Sequence, residues 1–190
     1  IKECSREMGS PIRGSWAFIK KMCRYLAGRE SVDWVFEWQE QVDHSDVYTD
    51  SDWGGNTKSR ESTSGGVWFL GKHAIKTWSA SQGAVALSSA EAEFYAMVGG
   101  VTRAKGLVNL ARELGFMELS GVIHLGTDSS AAKSLVCRRG LGKMRHLEIR
   151  DLWLQKEVAD GKLLVIKTPG EDNPADLMTR ILNLKDLVHR

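Results

Sequence analysis

Cysteine is scarce in this sequence: Cys4, Cys23 and Cys137 are the three present among 190 residues. Their odd number and wide spacing, with no C-x-x-C pair and no histidine cluster at zinc spacing beside them, argue against a disulfide framework or a zinc ribbon. They favour reduced, intracellular thiols. Long apolar runs are missing too. The longest, such as 163–166 and 67–70, fall far short of the roughly 20 residues a membrane span requires. The first ten residues, IKECSREMGS, carry charges where a signal peptide would need its apolar core, and they include no initiator methionine at the start. The chain is therefore read as an excised fragment. A strong charge of one sign is also absent. The net charge of +2 does not by itself announce nucleic-acid binding.

What is present supports one main domain with a small segment beside it, because 42% of the residues are hydrophobic and seven are tryptophan. Ser10-Pro11, followed by apolar residues at Ile12, Trp16, Ile19, Cys23 and Leu26, predicts a helix that ends near Gly28. The alternating aromatic stretch 32–38 predicts a strand. The charged stretch after it predicts a surface loop, with a soft boundary near Asp43.

From there the pattern predicts strands over 45–50, 65–70 and 73–79, the last two joined as a hairpin by Gly71-Lys72. Ser88 with Glu91 three residues on is a capping box that opens a helix. A strand over 122–127 running into a helix over 129–136 is a βα unit of the kind found in parallel sheets. A helix over 145–159, a strand over 162–167 and a helix opened by Asn173-Pro174 complete a mixed α/β pattern.

Four acids stand where acids are poor for folding and good for metals. Asp50 and Asp128 end two strands, Glu93 lies beside the apolar face marked by Phe94 and Met97, and Asp176 is in the first turn of the last helix. Each has an ordinary alternative: Asp176 also complements a helix dipole, and an aspartate at a strand end also caps a turn. Glu91 and Glu93 point about 200° apart on a helix, so both cannot face one site. Glu91 is taken by the capping box, which leaves Glu93.

The stretches YTDSDWGG, SRESTSGGVWFLG, WSASQGAVALSSAEAEFYA, TDSSAA, MRHLEIRD and NPADLMTR occur in this order. In that order they closely resemble the ribonuclease H domains of copia-type LTR retrotransposon reverse transcriptase polyproteins. The resemblance covers about residues 46–180. A weaker similarity of SWAFIKKMCRYLAG to the preceding connection region assigns 1–45 to a connection-like segment of helix plus strand, with 181–190 as a tail. The resemblance implies a ribonuclease H-like fold, a five-stranded mixed sheet of order 3-2-1-4-5 with helices on both faces. It also implies that Asp50, Glu93, Asp128 and Asp176 hold two Mg²⁺ ions, with Mn²⁺ as a substitute. A hard, all-oxygen ligand set suits Mg²⁺ better than Zn²⁺.

The implied reaction is two-metal hydrolysis of the RNA strand of an RNA/DNA hybrid, with the polymerase region of the same polyprotein as partner, in the cytoplasm or within virus-like particles. The histidine that cellular ribonucleases H carry in the loop before the last acid is missing from TPGEDNPAD; Glu171 and Asp172 are alternatives to it, or a plain acidic turn. Ser81, Gln82, Ser88, Ser89 and His146 are candidate substrate contacts, and Lys58, Arg60, Lys143, Arg145 and Arg150 are candidate phosphate contacts. Between Arg138 and Arg150 five cations face one glutamate. Trp53 and Trp78 are read as structural, and Asp52 as a turn residue or an outer-shell partner of Asp50. Two rival readings remain: a catalytically silent nucleic-acid-binding module of a reverse transcriptase, and an integrase-like transferase with fewer, differently spaced acids.

Overall fold

The computed structural model describes residues 8–56, 58–115, 121–140, 142, 146–147 and 152–180. The chain divides into two compact units, residues 1–38 and 39–190.

In the first unit, helix α1 (Arg13–Ala27) starts later than the Ser10-Pro11 signal suggests, because Ile12 is the N-cap. The Ser15 hydroxyl accepts from the Ile12 amide at 3.0 Å, which satisfies one of the donors a helix start leaves open. The strand expected over 32–38 does not form. Alternation gives a strand two faces but no partner, and Val32, Trp34, Val35, Phe36 and Trp38 remain exposed.

The second unit is built on β1 (Ser45–Asp52), β2 (Thr63–Leu70), β3 (His73–Ser81), β4 (Ile123–Thr127) and β5 (Leu163–Lys167). They form one sheet in the order β3-β2-β1-β4-β5. The first three strands are antiparallel neighbours, and β1, β4 and β5 are parallel. Gly71, at φ +60°, turns the β2–β3 hairpin. The Gln39 side chain closes that turn by accepting from Lys72 N and donating to the Leu70 carbonyl.

One face of the sheet presents Val47, Trp68, Ile123, Leu125, Leu163 and Val165 to helices α2 (Ser89–Glu113), α3 (Ser130–Cys137) and α4 (Trp153–Ala159). Phe94, Met97, Val101, Leu135 and Leu154 supply the helical half of this core. Helix α2 begins as the sequence indicates, with the Ser88 hydroxyl accepting from Glu91 N, and Ser129 caps α3 the same way. Of the helix expected over 145–159, only 153–159 form α4: His146 and Leu147 lie in a turn and a bend and Leu152 is the N-cap, so the helix starts later than expected, and residues 145 and 148–151 lie outside the described residues.

Helix α5 (Asp176–Thr179) lies on the opposite face, so helices cover both sides. Its approach depends on Gly65: a Cβ there would stand 2.8 Å from Met178 Cβ and 2.7 Å from Thr179 Cγ2. It starts after Asn173-Pro174 instead of at them. Asn173 is fully buried and its amide ties the last loop to the sheet, donating to the Thr49 carbonyl at 3.1 Å while its oxygen accepts from Ala175 N. No helix among the described residues is long and apolar enough to cross a membrane.

A candidate metal centre of buried carboxylates

The site lies at the C-terminal ends of β1 and β4. Tyr48 is level with Gly126 in the parallel register, so Asp50, two residues on, comes level with Asp128, just past the end of β4. Asp176, the first residue of α5, closes over them from the opposite face. Carboxylate oxygens of Asp50, Asp128 and Asp176 lie within 4.8 Å of one another. Asp50 and Asp176 are buried and Asp128 is partly exposed.

Glu93, in the second turn of α2, reaches the same region from the core side. Its Oε1 accepts from Ser51 N at 3.2 Å and Ser51 Oγ at 3.0 Å, whereas its buried Oε2 has no hydrogen-bond partner. Burial, and then the charges of Asp50 and Asp128, push its pKa up to about 8. Burial also raises Asp50, to about 6; a hydrogen bond from Thr179 Oγ1 to Oδ2 opposes the rise, and Asp176 and Asp128 add to it. Asp50 Oδ1, like Glu93 Oε2, is buried with no hydrogen-bond partner.

Leaving such atoms bare costs free energy unless a proton or cation occupies the space between them. These oxygens fit a hard divalent cation, and among the described residues neither His nor Cys joins this set. The Lys167 ammonium donates to the Asp128 carbonyl and the Arg180 guanidinium stands 3.6 Å from Asp176 Oδ2, so the rim carries positive charge.

Glu91 is excluded from this centre, though not quite by the capping box. Its Oε2 accepts from Leu87 N, one residue before the cap, and meets His146 Nε2 at 2.9 Å, while Oε1 accepts from Tyr95 OH at 3.1 Å. His146 is thus held by a buried glutamate in a bond to its imidazole. Asp52 is the last residue of β1, accepts from Thr63 N of β2, and is absent from the acidic group.

Among the other candidates, Ser81 and Gln82 line a groove of about 580 Å³ with Ser64, Tyr95, Gly99 and Arg103, alongside the first half of α2. The Gln82 amide donates to Ser64 Oγ and the Ala92 carbonyl, so much of it is committed to joining β3 to α2. The Ser88 hydroxyl is the helix cap, and Ser89 is exposed. Lys58 and Arg60 are exposed in the β1–β2 loop, Arg60 at φ +60° with its amide on the Asn56 carbonyl. Lys143, Arg145 and Arg150 lie outside the described residues. Trp78 packs on the core beneath Arg103. Trp53, read as structural, is 56% exposed and is anchored by its indole N–H to the Ala86 carbonyl. Glu171 and Asp172 are exposed in a short 3-10 turn.

Sequence reasoning did not find Ser51, Thr179 and Asn173. Thr179 lies inside NPADLMTR, and Ser51 directly follows Asp50, so adjacency to an acid was the available signal.

No protein-family model matches the chain. It is 28% identical over 184 residues, 96% of its length, to the retrovirus-related Pol polyprotein from transposon RE2 of Arabidopsis thaliana. It is 28% identical over 178 residues, 94% of its length, to that from transposon TNT 1-94 of Nicotiana tabacum. The chain spans 12% and 13% of those polyproteins. Among solved structures, it superposes on LC11-RNase H1, isolated from compost by a metagenomic approach, with a TM-score of 0.50 and 18% identity, covering 72% of this chain and 93% of that one. The fold is thus that of ribonuclease H, and the relatives bear out the resemblance to retrotransposon polyproteins.

Proposed function

We propose that this chain hydrolyses the RNA strand of RNA/DNA hybrids, with Asp50, Glu93, Asp128 and Asp176 holding two Mg²⁺ ions, or Mn²⁺ in their place. The observation that carries this reading is the convergence of Asp50, Asp128 and Asp176 within 4.8 Å, with buried oxygens of Asp50 and Glu93 left bare. Such ions, when bound, supply a nucleophilic hydroxide and stabilise the leaving oxygen.

The chain's own groups have separate work. Ser51 fixes Glu93 through Oε1 and leaves Oε2 available to a ligand. Thr179 holds one oxygen of Asp50, so that the other faces the cluster. Asn173 sets the height of the last loop and therefore of Asp176. A nuclease indifferent to base sequence has to grip backbone and 2′-hydroxyls. The groove lined by Ser81, Gln82 and Arg103 suits that purpose, with Ser88, Ser89, Lys58, Arg60, Lys143, Arg145, His146 and Arg150 as further candidates.

The setting we propose is removal of template RNA during reverse transcription. The polymerase region of the same polyprotein would be the partner, in the cytoplasm or within virus-like particles. Residues 1–45 would be a connection-like segment, 46–180 the nuclease domain and 181–190 a tail. A gel assay on labelled RNA/DNA, RNA/RNA and DNA/DNA duplexes with Mg²⁺ tests the activity. The expected result is cleavage of RNA in the hybrid alone; a binding module with no catalysis would leave all three duplexes intact, and equal cleavage of all three would remove the specificity.

A further inference from the structure

A second cluster of metal-ligating side chains lies at the other end of the same two strands. Asp46 on β1 and His124 on β4 are direct partners in the parallel register. Neighbouring strands thus hold these side chains on one face of the sheet. His44, two residues before Asp46, has the same parity. The ligand atoms of His44, Asp46 and His124 lie within 4.8 Å of one another, and all three residues are partly exposed. Asp46 is four residues from Asp50, about 13 Å along the strand, so this group is separate from the acidic centre.

The distances lie within ion-pair range but are longer than direct hydrogen bonds. His44 Nε2 stands 3.7 Å from Asp46 Oδ2, and His124 Nδ1 stands 3.4 Å from Asp46 Oδ1. A direct hydrogen bond would close to about 2.9 Å. Two ligands of one tetrahedral ion, each about 2.0–2.1 Å from it, stand about 3.3 Å apart. The two gaps end on different oxygens of Asp46, and with the ligand atoms of all three residues within 4.8 Å of one another the group leaves room for one ion between them. The imidazole rings are stacked, 4.2 Å between centroids and 29° between planes, which sets both beside the Asp46 carboxylate.

The shell around the cluster is consistent with this. His44 Nδ1 meets Asp43 Oδ1 at 2.7 Å. With the proton on Nδ1 shared with that carboxylate, the lone pair on Nε2 faces Asp46. A carboxylate behind the histidine is the usual means of orienting a metal ligand. Two imidazoles and one carboxylate are borderline donors that favour Zn²⁺ over Mg²⁺, the reverse of the preference at the acidic centre.

We propose that His44, Asp46 and His124 form a site for a divalent transition metal, Zn²⁺ being the representative ion. A bound ion would pin the start of β1 to β4, with coordination completed by water.

The test is titration calorimetry and equilibrium dialysis of the full 190-residue chain with ZnCl₂ in excess Mg²⁺, with Co²⁺ absorption as a spectroscopic report of the ligand field. Wild type and Asp128→Asn are expected to take up one Zn²⁺ each, with a rise in the unfolding temperature. His124→Ala and His44→Asn are expected to weaken uptake at least tenfold and remove the Co²⁺ bands; far-UV circular dichroism shows that each variant is folded. His44, partly exposed before the strand, gives a variant that spares the sheet if His124→Ala fails to fold. Absence of uptake by wild type, uptake unchanged in the histidine variants, or its loss in Asp128→Asn would each overturn the proposal. None of these outcomes depends on whether the chain cleaves hybrids.

Discussion

The two ends of the β1–β4 pair carry acids in opposite states. At the C-terminal end Asp50 and Glu93 are buried with oxygens that nothing satisfies, and their pKa values are raised; at the N-terminal end Asp46 is partly exposed between two imidazoles. One backbone register builds both clusters, so the difference comes from what surrounds them. Buried carboxylates facing one another destabilise the chain until a cation arrives, whereas half-exposed histidines and aspartate cost little when empty. The first end should therefore dominate both chemistry and stability, and the second should modulate stability alone.

The largest expected effect is at the acidic end. Asp50→Asn or Asp128→Asn should reduce hybrid cleavage by about three orders of magnitude, about 4 kcal/mol in the barrier, in a single-turnover assay. Hybrid affinity measured by fluorescence anisotropy in Ca²⁺ should change far less, because phosphate contacts remain. His124→Ala should leave the cleavage rate within about twofold, which keeps the two ends distinct.

Next in size is the dependence of stability on pH. Glu93 keeps its proton up to about pH 8 in the folded chain, whereas an unfolded glutamate releases it near 4.5. Between those values the folded state binds more protons, so metal-free stability should fall as pH rises, by up to about 1.4 kcal/mol per pH unit from this group. Asp50 adds to the fall between its ordinary value of 3.8 and about 6. Urea unfolding across this range should show the decline, and Glu93→Gln should flatten its upper part. Saturating Mg²⁺ should raise the melting temperature most at the alkaline end; a melting curve indifferent to Mg²⁺ and Mn²⁺ would break the comparison.

Much of the acidic end was legible in the sequence, because its acids sit at element boundaries that local signals mark. Asp128 directly follows β4, Ser88 announces α2, and the Asn-Pro pair announces the loop that carries Asp176; Asp50, read as the end of a strand, lies two residues inside β1, which pairs with β2 as far as Asp52. The sheet order of 3-2-1-4-5 expected from the family resemblance is the order found. Other features depended on partners distant in the chain. The stretch 32–38 alternates as a strand should, yet pairing is a property of two segments and no alternation within one reveals it. His44, Asp46 and His124 are not singled out in the sequence, because His124 joins the other two through the β1–β4 register alone. The close approach of α5 to the sheet rests on Gly65, which lies on β2 and which a helix-start signal does not convey.

A smaller effect is expected from Asn173→Ala. It would strip a buried partner from the Thr49 carbonyl and from Ala175 N, at a cost of about 1–3 kcal/mol by urea unfolding. Cleavage should fall along with stability, since Asp176 loses its support. The smallest concerns the exposed β1–β2 loop: neutralising Lys58 or Arg60 singly should weaken hybrid binding about equally for all sequences and lower its salt dependence slightly.

Anomalous scattering from crystals soaked in Mn²⁺ bears most directly on the central claim. The account predicts peaks bound by carboxylate oxygens of Asp50, Glu93, Asp128 and Asp176. Crystals in which Mn²⁺ avoids this cluster, or in which these four side chains point into separate regions, would contradict it.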